Sequence, residues 1–204
     1  MMLLTRRLAL GAAGALAMPG VLRAQDATTA IFELKDGPVT IQLLPDLAPR
    51  HVERIRTLIG QGFYDNTPFH RVIEGFMAQG GDPTGTGTGG FRDRGFADLP
   101  AEFVPASRAR FLRGTCGMAR AQNPNSANSQ FFIMFAPAPS LDGQYTIWGR
   151  VVSGMDAVDK IKRGAGGSGM VREPDRVISM KLGTAAASAG EAATGVDSAP
   201  AQDA

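Results

Sequence analysis

Strand-like runs recur as many short segments along the chain, with helical spacing in two places. Thr29-Ala-Ile-Phe-Glu-Leu-Lys35 and Val39-Thr-Ile-Gln-Leu43 are two such runs, and Asp36-Gly37 between them predicts a hairpin. Leu47-Ala48-Pro49 opens a helix with proline in its first turn. Val52, Ile55 and Ile59 repeat there at helical spacing, and Gly60 and Gly62 end it. His51 lies in the same helix, where a solvated position is expected.

Residues 69–79 are strand-like with a break at Gly75, and residues 80–98 form a loop dense in Gly and Thr. Residues 117–121 and 130–135 predict two more strands with a polar loop, 122–129, between them. Residues 145–152 predict another strand, and 155–162 a short second helix with Val158 and Ile161 inward. Residues 177–182 close the chain with a strand. Many short strands with two helices predict an all-β barrel or sandwich plugged by those helices. Phe, Ile and Leu at inward parity favour a filled barrel over one that encloses a small ligand.

The two ends follow neither period. Arg6 and Arg7 precede an apolar run, 8–22, interrupted by Gly11, Gly14, Pro19 and Gly20. Leu22-Arg23-Ala24 then leaves a small residue before a cut. Residues 1–24 therefore predict an export signal that resembles a twin-arginine leader, although Ala9 stands where an aromatic is usual. The mature chain is expected in a bacterial periplasm without stable membrane insertion, since no apolar run reaches the ~20 residues that span a bilayer. Residues 184–204 hold no Phe, Leu, Ile, Trp or Tyr and predict a disordered tail. Residues 25–183 remain as one folded domain.

Charge excludes some partners. Three of the 21 Lys and Arg residues lie in the leader, and three of the 19 Asp and Glu residues lie in the tail. The body keeps 18 bases against 16 acids, which gives no electrostatic case for nucleic acid or a membrane surface.

Several chemistries are also excluded. Gly85-Thr-Gly-Thr-Gly-Gly90 lacks the Lys and the following helix of a phosphate loop and is expected to be flexible. The two histidines, His51 and His70, do not have metal spacing, and no Gly-x-Ser-x-Gly elbow occurs. The lone Cys116 sits in an apolar strand and is expected to be a small buried residue rather than a nucleophile. Nothing calls for a cofactor or a metal.

One cluster remains. Arg71, Ile73, Met77 and Gln79 share strand parity, and Gly75 permits a bulge that turns Phe76 onto the same surface. Gln130 and Phe132 share one face, Phe131 and Ile133 the other. Of two readings, a shallow apolar pocket with a guanidinium at its rim and ordinary core with Arg71 as a surface charge, spacing alone favours the second.

The stretch Phe69-His-Arg-Val-Ile-Glu-Gly-Phe-Met-Ala-Gln-Gly-Gly-Asp82 resembles the signature of the cyclophilin family of peptidyl-prolyl isomerases. So do Gly117-Met-Ala-Arg-Ala121, Asn125-Ser-Ala-Asn-Ser-Gln-Phe-Phe-Ile133 and Leu141-Asp-Gly-Gln-Tyr-Thr-Ile-Trp-Gly-Arg-Val151, in family order. The resemblance implies a mainly β fold: a closed eight-stranded antiparallel barrel capped by two α-helices. It implies isomerisation of Xaa-Pro bonds in proline-containing polypeptides, in support of the folding of exported proteins. The rival is a non-catalytic peptide-binding or holdase module on the same barrel. Carried over by residue, the resemblance makes Arg71 the catalytic guanidinium and Gln79 a catalytic, substrate-binding polar group. Phe76, Met77, Phe132 and Leu141 wall a proline pocket. Gln130, Ala119, Ala121 and Gly87 line the bound peptide. Arg120 stands where many members carry Asn, which implies activity with altered preference; Tyr145 stands where the best-known members carry His and can still wall the pocket and offer a hydroxyl. Trp148 is expected in the core.

Overall fold

The computed structural model describes residues 28–91 and 95–183. The expected leader and tail lie outside them. Two strands, β1 (Thr29–Leu34) and β2 (Gly37–Leu43), form the expected hairpin, paired from Thr29 opposite Gln42 to Leu34 opposite Gly37. Helix α1 (Pro49–Gly60) follows. Next come β3 (Arg71–Ile73) and β4 (Met77–Gly80), then β5 (Thr115–Met118) and β6 (Phe131–Met134). The chain ends in β7 (Ile147–Ser153), the short α2 (Met155–Asp159) and β8 (Ser179–Gly183). All pairings are antiparallel, in the order β3-β4-β6-β5-β7-β2-β1-β8.

The eight strands and two helices match the expectation; full closure does not. β3 and β8 are edge strands that form no ladder with each other. Irregular chain before β8 fills the gap instead: the amides of Phe69 and Val72 donate to Asp175 and Gly169, and that of Val171 donates to His70. Gly75 also acts differently from the expected bulge. With a φ of 69° it turns a hairpin between β3 and β4, in which Arg71 faces Gln79 and Ile73 faces Met77. Residues 119–121 and 145–146 flank β5 and β7 rather than lying within them.

The sheet's two faces bury two separate clusters. The inner one holds Phe32, Ile41, Phe69, Phe131, Ile133 and Trp148 beneath Val52, Ile55 and Leu58 of α1. Cys116 lies among them, and burial pushes its thiol up, as a small core residue requires. The outer cluster, built on Met77, Phe111, Phe132 and Ile147, takes the alternate residues of the same strands.

His51 corrects the sequence reading: it is fully buried rather than solvated. Its Nδ1 lies 2.6 Å from a Glu102 carboxylate oxygen. The Glu102 carboxylate also accepts the amides of Arg50 and His51 at 3.1 and 3.0 Å, capping α1 from 51 or more residues away. Burial lowers the His51 pKa by more than its bond to Glu102 raises it. Burial likewise pushes His70 down. An unfolded histidine takes its proton near 6.5, the folded ones only at lower pH. Below 6.5 the unfolded state therefore binds more protons, and acid favours unfolding. Urea-unfolding midpoints should hold steady at pH 8 and 7 and fall from pH 6.5 to 5, before carboxylate titration begins. A flat profile across that window would show that neither imidazole resists protonation on folding.

Candidate active site

The register aligns one row of residues across four strands: Arg71 on β3, Gln79 on β4, Phe132 on β6 and Gly117 on β5. All four face outward, away from the filled interior. Gly117 matters because a Cβ there would collide with the rings of Phe132 and Phe111. The bare backbone lets Phe132 lie across β5 and stack on Phe111, with ring centroids 5.6 Å apart. Tyr145 meets Phe132 edge-on at 5.8 Å.

Together these residues wall a cavity of about 200 Å³ lined by Phe76, Met77, Phe132, Leu141 and Tyr145, with Arg71 and Gln79 at its rim. Most of its lining side chains are apolar or aromatic, and it is large enough to admit a small ring. The pocket reading therefore prevails over the ordinary-core reading, although Met77 and Phe132 are buried as core residues would be.

Hydrogen bonds order the polar rim. The Arg71 Nε donates to the Ser168 carbonyl at 3.1 Å and its Nη1 to the Gln79 Oε1 at 3.2 Å. The Gln79 amide donates to Gln130 Oε1 at 2.9 Å, and the Gln130 amide donates to the carbonyls of Gly87 and Gly89 at 3.0 and 2.8 Å. Among the described residues Nη2 of Arg71 makes no bond and no carboxylate pairs with Arg71. A charged donor is thus held at the cavity rim through Nε and Nη1, with Nη2 unpaired among the described residues.

The glycine run is not the flexible loop its composition predicts. It wraps around the buried Asp82 carboxylate, which accepts the amides of Thr84, Gly87 and Gly89 and the Thr84 hydroxyl. Burial alone would raise the Asp82 pKa, but these bonds outweigh it and hold the group below its usual range. The loop forms one wall of a second cavity, of about 290 Å³, that shares Gln79, Ala119 and Arg120 with the first and adds Ala121 and Gln130.

Every site residue expected from the sequence therefore lies at one or both cavities. Two that the sequence reading missed reach the site from far along the chain, Phe111 under Phe132 and Ser168 behind Arg71, while Thr88, Ser126 and Asn128 around the second cavity are near neighbours of the expected Gly87 and Gln130. Only Asp82, at the end of the signature stretch, carried a signal that could have revealed the ordered loop. Among the described residues no cluster of His, Cys, Asp and Glu could hold a metal ion.

A family model described as cyclophilin type peptidyl-prolyl cis-trans isomerase/CLD matches residues 29–182. The chain belongs to that family. A probable peptidyl-prolyl cis-trans isomerase of Brucella suis biovar 1 is 55% identical over 74% of this chain and 80% of its own. A peptidyl-prolyl cis-trans isomerase-like 1 protein of Gibberella zeae is 41% identical over 66% and 81%. Among solved structures, the Cryptosporidium parvum cyclophilin crystallised with the dipeptide Ala-Pro superposes with a TM-score of 0.69 at 28% identity, covering 76% of this chain and 99% of that one. A cyclophilin from Hirschia baltica superposes with a TM-score of 0.64 at 27% identity, covering 77% and 74%. In the cyclophilin frame, the first cavity lies where the signature stretch of residues 69–82 meets the Phe132 strand.

Proposed function

We propose that this cyclophilin isomerises Xaa-Pro bonds by seating the proline ring in the first cavity and presenting Arg71 to the twisting amide. Arg71, fixed beside a cavity walled by Phe76, Met77, Phe132 and Leu141, carries this reading. Rotation about the bond is slow because it breaks amide resonance, at a barrier of ~18–20 kcal/mol. In the transition state the amide is twisted, and the proline nitrogen regains a lone pair. A donor aimed at that nitrogen stabilises the twisted amide and not the planar one, which is what lowers a barrier.

Arginine suits the role because it stays charged, and its planar fork can be anchored through two nitrogens while the third remains for substrate. Here Ser168 and Gln79 anchor it. Phe132, Met77 and Leu141 grip the ring, and Gln130 with the glycine loop flanks the peptide. No bond is made or cleaved, so no proton, metal or cofactor enters the step. The deciding measurement is cis–trans exchange in an Ala-Pro test peptide with residues 25–183, with and without a chelator. Acceleration that survives the chelator is expected. A folded domain that binds the peptide without accelerating exchange would instead be a holdase.

The cellular setting forms part of the proposal. Arg6 and Arg7 ahead of the run 8–22 support export through the twin-arginine route, with proline-containing exported polypeptides as clients. Residues 1–24 fused to a folded reporter should carry it into the periplasm. Replacing Arg6 and Arg7 by Lys should retain it in the cytoplasm, and unchanged export would count against this route.

A further inference from the structure

We propose that Arg120 makes the groove selective for peptides carrying a carboxylate within two residues of the isomerised proline. The inference rests on the isomerase reading of the site. Arg120 stands on the ridge between the two cavities and lines both. Its guanidinium is held from several sides. Its carbon lies 4.4 Å from the centre of the Tyr145 ring and 5.8 Å from that of Phe103. Nε and Nη2 donate to the Gln144 carbonyl at 3.3 and 3.0 Å, and Nη1 donates to the carbonyls of Ala121 and Gln122 at 2.9 and 3.3 Å.

Every one of those acceptors is neutral. Among the described residues no carboxylate pairs with Arg120, and none lines either cavity. The nearby Asp82 carboxylate is turned inward and occupied by the loop amides. Four bonds leave one hydrogen of Nη2 and the whole formal charge uncompensated. Arg71, at the far rim, also has no carboxylate among the described residues. The groove therefore lies between two fixed positive charges.

An extended peptide advances ~3.3 Å per residue, so a proline in the first cavity sets a side chain one or two positions away over the Arg120 ridge. A carboxylate there gains an ion pair at a half-exposed surface. An ammonium there is repelled. Because the guanidinium is already ordered, little rotamer entropy is lost on contact.

The test measures exchange in capped single-proline peptides that carry Glu, Gln or Lys one, two or three residues from the proline on either side. At one of the two nearer positions Glu should raise kcat/KM about two- to fivefold over Gln, with Lys below Gln. The Glu-to-Gln ratio should shrink in high salt. Arg120→Gln should bring it to about one, whereas Arg120→Lys should keep most of it. A ratio of one at every position in the unmodified protein would overturn the proposal. So would a ratio unchanged by Arg120→Gln, which would assign the preference to Arg71. Absence of any acceleration, Gln peptides included, would overturn the isomerase reading and the charge preference with it. That pattern differs from acceleration without preference.

Discussion

Arg71→Ala is expected to lower kcat/KM about a hundredfold, the loss of one charge-assisted hydrogen bond worth ~3 kcal/mol in the transition state. Stability should change little. The side chain is half-buried at a cavity rim, and its removal frees only the Ser168 carbonyl and the Gln79 amide oxygen, both near solvent. Arg71→Lys should rescue poorly, because an ammonium cannot hold Ser168 and Gln79 while presenting a second planar edge. Peptide affinity should fall less than turnover, since Phe132, Met77 and Leu141 still hold the ring. Titration of the variant with peptide, set beside kcat/KM, separates the two effects. Equal losses of affinity and rate would make Arg71 a binding residue and refute the donor mechanism.

Phe131→Ala is expected to cost ~3–5 kcal/mol of stability, as for a large aromatic ring lost from the inner cluster. The Phe131 ring is fully buried and lies 5.4 Å from Phe32, 5.6 Å from Tyr64, 6.1 Å from Trp148 and 6.2 Å from Phe69, edge-on to each. No neighbour can collapse into the space without losing its own contacts. Phe132→Ala, one residue along the same strand, should do the reverse, with a smaller stability cost and a large loss of peptide affinity. Urea unfolding with peptide titration on both variants decides this. If Phe132→Ala proved the more destabilising, the division between a structural and a functional face would be wrong.

That division was legible in the chain before folding was considered. Gln130 and Phe132 alternate with Phe131 and Ile133, and a strand sends alternate side chains to opposite faces. The β1–β2 hairpin was legible for the same reason, although its turn is Lys35-Asp36 and Gly37 already pairs with Leu34. His51 was misread although its period was available: His51, Ile55, Leu58 and Ile59 form one helical stripe. The sequence could not show that Glu102 would arrive to bond a buried imidazole. The glycine loop was misread because its order comes from the single carboxylate of Asp82. Composition reports the freedom of a glycine chain but not the group that removes it. Ser168 and Phe111 left no local signal at all, since they reach the site only through the fold.

The placement of the cavity outside the barrel has one more consequence. Had the proline site occupied the lumen, a substrate would have had to thread a free end through it. A shallow trough on the convex side admits a loop sideways, so a proline deep within a long polypeptide is as accessible as one near a terminus. Beyond the charge preference at Arg120, selection among prolines then falls to the client's own local unfolding: a segment that can peel a few residues away in extended form can be engaged, and a proline locked in a helix or packed turn cannot.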